Sequence, residues 1–137
     1  MKSNLPFRTL DANINRFKEG IRVVEDILRY EFNSSLAKEL KNLRHIKIKE
    51  YEEIIKHRDS INDILKPSTN TELKRNSLKD IIISNLKRAE ESSRVLEEIY
   101  KLIDINTSEK FKEARYKLYN LEKEIILLIQ QSQIQES

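Results

Sequence analysis

Two stretches of the chain carry the same ordered set of polar side chains. Asn13, Arg16, Glu19 and Arg22 recur as Asn85, Arg88, Glu91 and Arg94, and both sets are followed by two apolar and two acidic residues. Arginines three or four positions from carboxylates admit two chemistries. They can form a solvated ladder of ion pairs, each worth roughly a few tenths of a kcal/mol. Held by those carboxylates, they can instead line a groove for an anion, because a guanidinium fork matches phosphate or carboxylate bidentately. A second cluster holds His57, Arg58, Asp59 and Asp63, with Lys74 and Arg75 further on. Asp59 and Asp63 can offer oxygen ligands to Mg²⁺. Equally, His57 and Arg58 can complement a helix C-terminus, with Asp59 as a turn residue. His45 and His57 lack a third ligand at metal spacing, which argues against zinc.

Composition says what can position these groups. The 137 residues suit one domain, and they include one glycine (Gly20), two prolines (Pro6 and Pro67) and no cysteine. Sheets need glycine- or proline-rich turns, so a β-rich fold is disfavoured, as are glycine-built phosphate loops. Without cysteine there are no disulfides, thiolate zinc sites or thiol nucleophiles. The net charge of +3 comes from both signs interleaved along the chain, with charged residues at 36%. That is not the one-sided basic footprint of a nucleic-acid binder. No apolar run reaches the length of a membrane span, and Met1 to Leu10 lacks the apolar core of a signal peptide. A cytoplasmic protein acting on neither nucleic acid nor membrane is expected.

Apolar residues recur at helical spacing in four stretches. The first holds Ile14, Phe17, Ile21, Val24 and Leu28, with Asp11 as its expected N-cap. The second follows Asn33-Ser34-Ser35 and runs from Leu36 to Ile55, with a slip in register between Leu43 and Ile48 that predicts a kink. The third opens at Ser77, with Asp80 completing a capping box, and carries Ile82, Leu86, Ala89, Leu96 and Tyr100. The fourth follows Asn106-Thr107-Ser108 and carries Phe111, Ala114, Leu118, Leu121, Ile125 and Leu128. Residues from Gln130 onward read as a fraying polar tail.

Setting Arg16 on Arg88 also superposes Val23 on Val95, Glu25 on Glu97 and Ile27 on Ile99. With one residue of slippage, Arg44 falls on Arg115 and Glu53-Ile54-Ile55 on Glu124-Ile125-Ile126. Positions expected to be exposed diverge, as at Lys18/Glu90 and Asn15/Lys87. The expected architecture over residues 1–137 is a single all-α domain. Two internally duplicated helical hairpins, about 8–58 and 77–130, are joined by a linker at about 59–76. They should form a four-helix bundle with pseudo-two-fold symmetry. With Asn13 at zero on a helical wheel, Arg16, Glu19, Arg22 and Asp26 fall at roughly 300°, 240°, 180° and 220°, away from an apolar seam at roughly 20° to 100°.

The run Leu10-Asp11-Ala12-Asn13-Ile14-Asn15-Arg16, then Glu19-Gly20-Ile21-Arg22-Val23-Val24-Glu25-Asp26, resembles the opening of a helical family. Its members are monofunctional hydroxymethylpyrimidine phosphate kinases of thiamin biosynthesis, found alone or fused ahead of thiamine phosphate synthase. Leu43-Arg44-His45, Arg58-Asp59 with Asp63, Arg75-Asn76-Ser77 and Asn85 to Glu98 match further motifs, so the likeness runs from about Arg8 to Glu124. The family usually has a glycine where Leu65 stands.

The resemblance implies transfer of the ATP γ-phosphoryl group, with Mg²⁺, onto 4-amino-5-hydroxymethyl-2-methylpyrimidine phosphate. It assigns Arg16, Arg22, Arg88 and Arg94 to catalysis. Asn13, Glu19, Asn85, Glu91, Arg44, Arg58 and Arg75 would bind substrate, and Asp59 and Asp63 the metal. It leaves room for a homodimer and for thiamine phosphate synthase as a separate partner, and a non-catalytic module docking on that synthase is the alternative. An arginine-lined helical enzyme binding a dicarboxylate without metal is a rival. The short interhelical turns argue against a plain coiled-coil assembly piece.

Overall fold

The computed structural model describes residues 4–69 and 73–136, and every regular element among them is helical. The helices are α1 (Phe7–Tyr30), α2 (Leu36–Arg44), α3 (Tyr51–Ile55), α4 (Leu78–Tyr100) and α5 (Ile105–Glu136). The all-α expectation holds, but the second stretch is two helices, giving five where four were expected. Its break falls at the slip in register: Glu50 takes a left-handed backbone (φ 60°), and α3 restarts so that Ile54 is fully buried. The second hairpin has no such break, because the seam from Phe111 to Ile129 keeps its register along α5.

Three helix ends differ from the sequence reading. The first helix starts a turn early, after Pro6, because Phe7 and Leu10 extend its buried stripe. Asp11 is therefore no cap; it lies inside α1, buried. Asp104 rather than Asn106 stabilises the start of α5, accepting hydrogen bonds from the Thr107 amide and hydroxyl. The helix also continues to Glu136 instead of fraying at Gln130. The capping box at Ser77 is present: its hydroxyl accepts from the Asp80 amide at 3.1 Å, and the Asp80 carboxylate accepts from Asn76. Within the expected linker, Asn70 and Thr71 lie outside the described residues.

The central pair is α1 and α4; α2 and α3 pack on α1, α5 packs on α4, and α2 touches α5. Because α2 and α5 meet, they cover the same side of the central pair. The pair approaches closely at Gly20, where an added Cβ would sit 2.8 Å from the Asn85 carbonyl oxygen and 3.6 Å from Ala89. Between the hairpins the core is aromatic, with Phe17 edge-on to Phe111 at 5.4 Å and Tyr100 stacked on Phe111 at 5.8 Å. Tyr100 is fully buried, and its hydroxyl donates to the Lys49 carbonyl at 2.9 Å, tying the end of α4 to the α2–α3 connection. A buried phenol needs such a partner. Among the described residues no helix is long and apolar enough to cross a membrane.

The repeat seen in sequence is also a repeat of contacts. Glu25 on α1 receives Arg44 of α2 through Nε at 2.7 Å and Nη2 at 3.2 Å. Glu97 on α4 receives Arg115 of α5 through Nη2 at 2.9 Å and Nε at 3.3 Å. Each hairpin is thus closed by two guanidinium bonds onto a buried carboxylate: Arg44 meets both oxygens of Glu25, whereas Arg115 donates twice to Oε1 of Glu97 and Arg94 takes Oε2. Removing the arginine strands that charge, which costs far more than the net worth of the pair. Arg44→Ala is expected to lower unfolding free energy in urea by about 3 kcal/mol, and replacing Glu25 and Arg44 together by Leu and Met to restore most of it. A loss under about 1 kcal/mol for the single change would mean the clamp does not hold the hairpin.

Candidate anion-binding cleft

The chain beyond α3 turns back over the first turns of α1. Arg58 grips Asp11 through Nε and Nη2, both at 2.8 Å, and Arg8 Nη2 donates to the Asp59 carbonyl at 3.0 Å. Asp11 is 4% exposed, so this is a contact between a buried carboxylate and a guanidinium reaching in from the surface. Phe7 and His57 rings meet beside it, 5.2 Å apart. The result is a cleft of about 370 Å³, lined among others by Arg8, Asn13, Arg16, Arg58, Asp59 and Asp63. Two motifs lying 47 residues apart at Asp11 and Arg58 are joined there.

The cleft's carboxylates are set by local turns. Asp59 accepts from the Asn62 amide at 3.1 Å and its side chain at 2.8 Å, and these bonds hold its carboxyl below the usual range. Asp63 accepts from the Leu65 amide at 2.9 Å. Among the described residues no group of three or more His, Asp or Glu side chains is placed to hold a metal ion.

Of the four arginines assigned to catalysis, Arg16 lines this cleft. Arg22 pairs with Asp26 at 3.1 Å and lies with Lys18, Glu19, Arg44 and His45 around a second hollow of about 350 Å³. Arg94 reaches Glu97 and Glu98 at 3.3 and 3.4 Å. Arg88 and Glu91 are exposed on α4 and line neither hollow. Asn13 and Asn85 each donate the side-chain amide to their own helix, to the Thr9 and Ile81 carbonyls at 2.9 and 2.8 Å. Arg44 serves the Glu25 clamp. Arg75 sits ahead of α4, donating to the Lys74 carbonyl.

Sequence reasoning missed Arg8 and the role of Asp11. A signal was available in the repeat. Opposite Asp11 and Arg58 the second half carries Ile83 and Ile129, the latter buried, so neither charge of the ion pair is repeated. The cleft is a property of the first half alone.

A model of the ThiD2 family matches residues 8–124. The chain is similar to thiamine-phosphate synthase of Nostoc sp. strain PCC 7120, 38% identical over 122 residues, covering 85% of this chain and 34% of that protein. Thiamine-phosphate synthases of Prochlorococcus marinus subsp. pastoris and of Synechocystis sp. strain PCC 6803 are each 39% identical, over 120 and 118 residues. These cover 85% and 84% of the chain and 34% of each relative. The chain thus spans about a third of the length of these relatives. No solved structure matches.

Outside the cleft, one carboxyl in the Arg88 to Glu91 block is shifted upward. Glu90, expected to be exposed, is instead 4% exposed, because Lys87 joins it to Glu122 of α5. Lys87 Nζ lies 3.2 Å from Glu90 and 3.1 Å from Glu122, while Glu90 Oε2 and Glu122 Oε1 are buried without partners. A proton held between the two carboxyls satisfies both. Burial, then that shared proton, pushes Glu90 up to about 7. Burial also acts upward on Glu122, but the bonds from Glu90 and Lys87 outweigh it and Glu122 is lowered. A raised folded-state value stabilises the fold below 4.5 and is lost as pH rises through about 7. Wild-type unfolding free energy is expected to fall from about pH 5 to about pH 8, by at most about 1 kcal/mol per pH unit. Glu90→Gln should remove that slope and be the more stable protein at about pH 8; parallel profiles would contradict it.

Proposed function

The chain belongs to the ThiD2 family, and on that premise we propose that it is a helical module of thiamine phosphate formation. It works as a partner of thiamine-phosphate synthase, and its α1 cleft holds the phosphorylated pyrimidine that the synthase uses. The observation that carries this reading is the match to about a third of proteins named thiamine-phosphate synthase, with the cleft residues inside the 8–124 span that the family model matches. The cleft's size falls in the usual range for small-molecule sites, roughly 300 to 1,000 Å³. Arg16 makes no ion pair or hydrogen bond within the described chain, so its guanidinium is available to a phosphate. Arg58 is already fixed by Asp11 and needs no reorganisation to add its charge.

A second reading has its own support. Asp59 and Asp63 stand on the same cleft as Arg16 and Arg58, the donor set that a phosphoryl transfer from ATP to the pyrimidine phosphate would use. Mg²⁺ commonly takes one or two carboxylates together with phosphate oxygens, so two aspartates suffice, and the ion would offset phosphate charge. The acceptor is a phosphate oxygen, ionised at neutral pH, so no general base is required. That oxygen bonds to the γ-phosphorus as the bond to ADP breaks, and ADP leaves with the electron pair. Arg8, Arg16 and Arg58 would hold the two anions together.

Calorimetry and ADP release on one preparation test both. The partner reading predicts that hydroxymethylpyrimidine phosphate binds, that Arg16→Ala weakens it about tenfold or more, and that no ADP forms with Mg²⁺-ATP. ADP release with the phosphate acceptor, but not with the unphosphorylated alcohol, would establish the kinase instead. Neither binding nor turnover in the folded protein would contradict both.

A further inference from the structure

The segment that completes the cleft has a second side. Ser60 and Asp63 line the cleft, and between and beyond them Ile61, Ile64 and Leu65 are 81%, 91% and 75% exposed. These three stand on two successive turns, shaped by the Asp59 bonds to Asn62 and by the Lys66 amide bond to the Asp63 carbonyl. Single exposed apolar side chains are ordinary, but three large aliphatic ones exposed to this degree within five residues concentrate apolar surface in one short segment. The seams on α1, α2, α4 and α5 are already filled by one another, so this cluster is not part of the bundle core.

We propose that Ile61, Ile64 and Leu65 form the docking surface for thiamine-phosphate synthase, placing the open side of the Arg16–Arg58 cleft against that enzyme. This rests on the partner reading above. The occupant follows from two facts. Relatives carry this module as a third of a longer thiamine-phosphate synthase, so nearly two-thirds of their length lies outside the matched region and is available to cover a face of it. The cluster also lies on the same seven-residue segment, Asp59 to Leu65, that supplies the cleft's aspartates, so a protein docked there meets the bound ligand. Asp59, Asn62 and Asp63 interleave with the three apolar residues in sequence, so polar groups stand beside apolar ones, as at the rim of an interface.

The test uses the full chain and thiamine-phosphate synthase from the same organism, with affinity read by calorimetry or interferometry. Ile64→Asp and Leu65→Asp alter exposed side chains and should leave the circular dichroism spectrum unchanged. Each is expected to weaken synthase binding at least tenfold, whereas Val23→Asp, on exposed α1 surface, should not. Hydroxymethylpyrimidine phosphate should bind the Ile64→Asp protein as it binds the wild type. Synthase binding that ignores both loop changes would overturn the surface and leave the partner reading standing. Absence of any synthase binding by the wild type would overturn both. Loss of pyrimidine phosphate binding in Ile64→Asp would mean that the segment closes on the ligand. Loss of self-association in its place, seen by sedimentation, would make a second copy the occupant. Either result defeats the proposal.

Discussion

The fold hangs on how closely two helix backbones can approach. Where α1 crosses α4, the place of a side chain at Gly20 is taken by the Asn85 carbonyl, with Ala89 alongside. Any Cβ there would push the helices apart by tenths of an ångström or more, and every contact between the hairpins would feel it. Phe17 reaches Phe111, and through it Tyr100, because the central pair is this close. The chain's single glycine is thus placed where backbone meets backbone and not at a turn. Glycine in a helix interior costs about 1 kcal/mol relative to alanine, and the close packing around it offsets that cost.

On this scaffold the two halves divide into what stayed alike and what did not. The clamps Glu25–Arg44 and Glu97–Arg115, and the asparagines tied to their own helices, occur twice because each hairpin needs them. The contact that shapes the cleft occurs once: Asp11–Arg58 has Ile83 and Ile129 as its counterpart. A duplicated sequence therefore does not mean a duplicated site. Arg16 and Arg88, or Glu19 and Glu91, match in type and position, yet Arg16 lines the α1 cleft and Glu19 the second hollow, while Arg88 and Glu91 line neither. The short break at Glu50 matters here, because it lets the chain reach back across α1 and deliver Arg58.

Much of this was legible beforehand. Four apolar stripes at helical spacing gave the elements, and self-comparison gave the hairpins, including the alignment of Arg44 with Arg115 that proved to be a pair of clamps. The capping box at Ser77 was readable because its two residues are three apart. What escaped were contacts between residues far apart in sequence. Nothing local marks Asp11 as the partner of Arg58, and an Asp just ahead of the apolar alternation that starts at Ile14 reads as a cap. The repeated charge ladder suggested four equivalent arginines. Structure separates them, because Arg22 and Arg94 pair with carboxylates one turn away on their own helices, whereas Arg16 makes no ion pair within the described chain.

The central claim is that ligand chemistry is confined to the first half, at the crossing of α1 with the segment after α3. An NMR titration of the isotopically labelled chain with hydroxymethylpyrimidine phosphate tests it most directly, since every backbone amide reports separately. The account predicts that the largest shifts fall on Arg8 to Arg16 and on Arg58 to Asp63, with α4 nearly silent. Largest shifts on Arg88, Glu91 and Arg94 would contradict it and return the site to the repeated ladder.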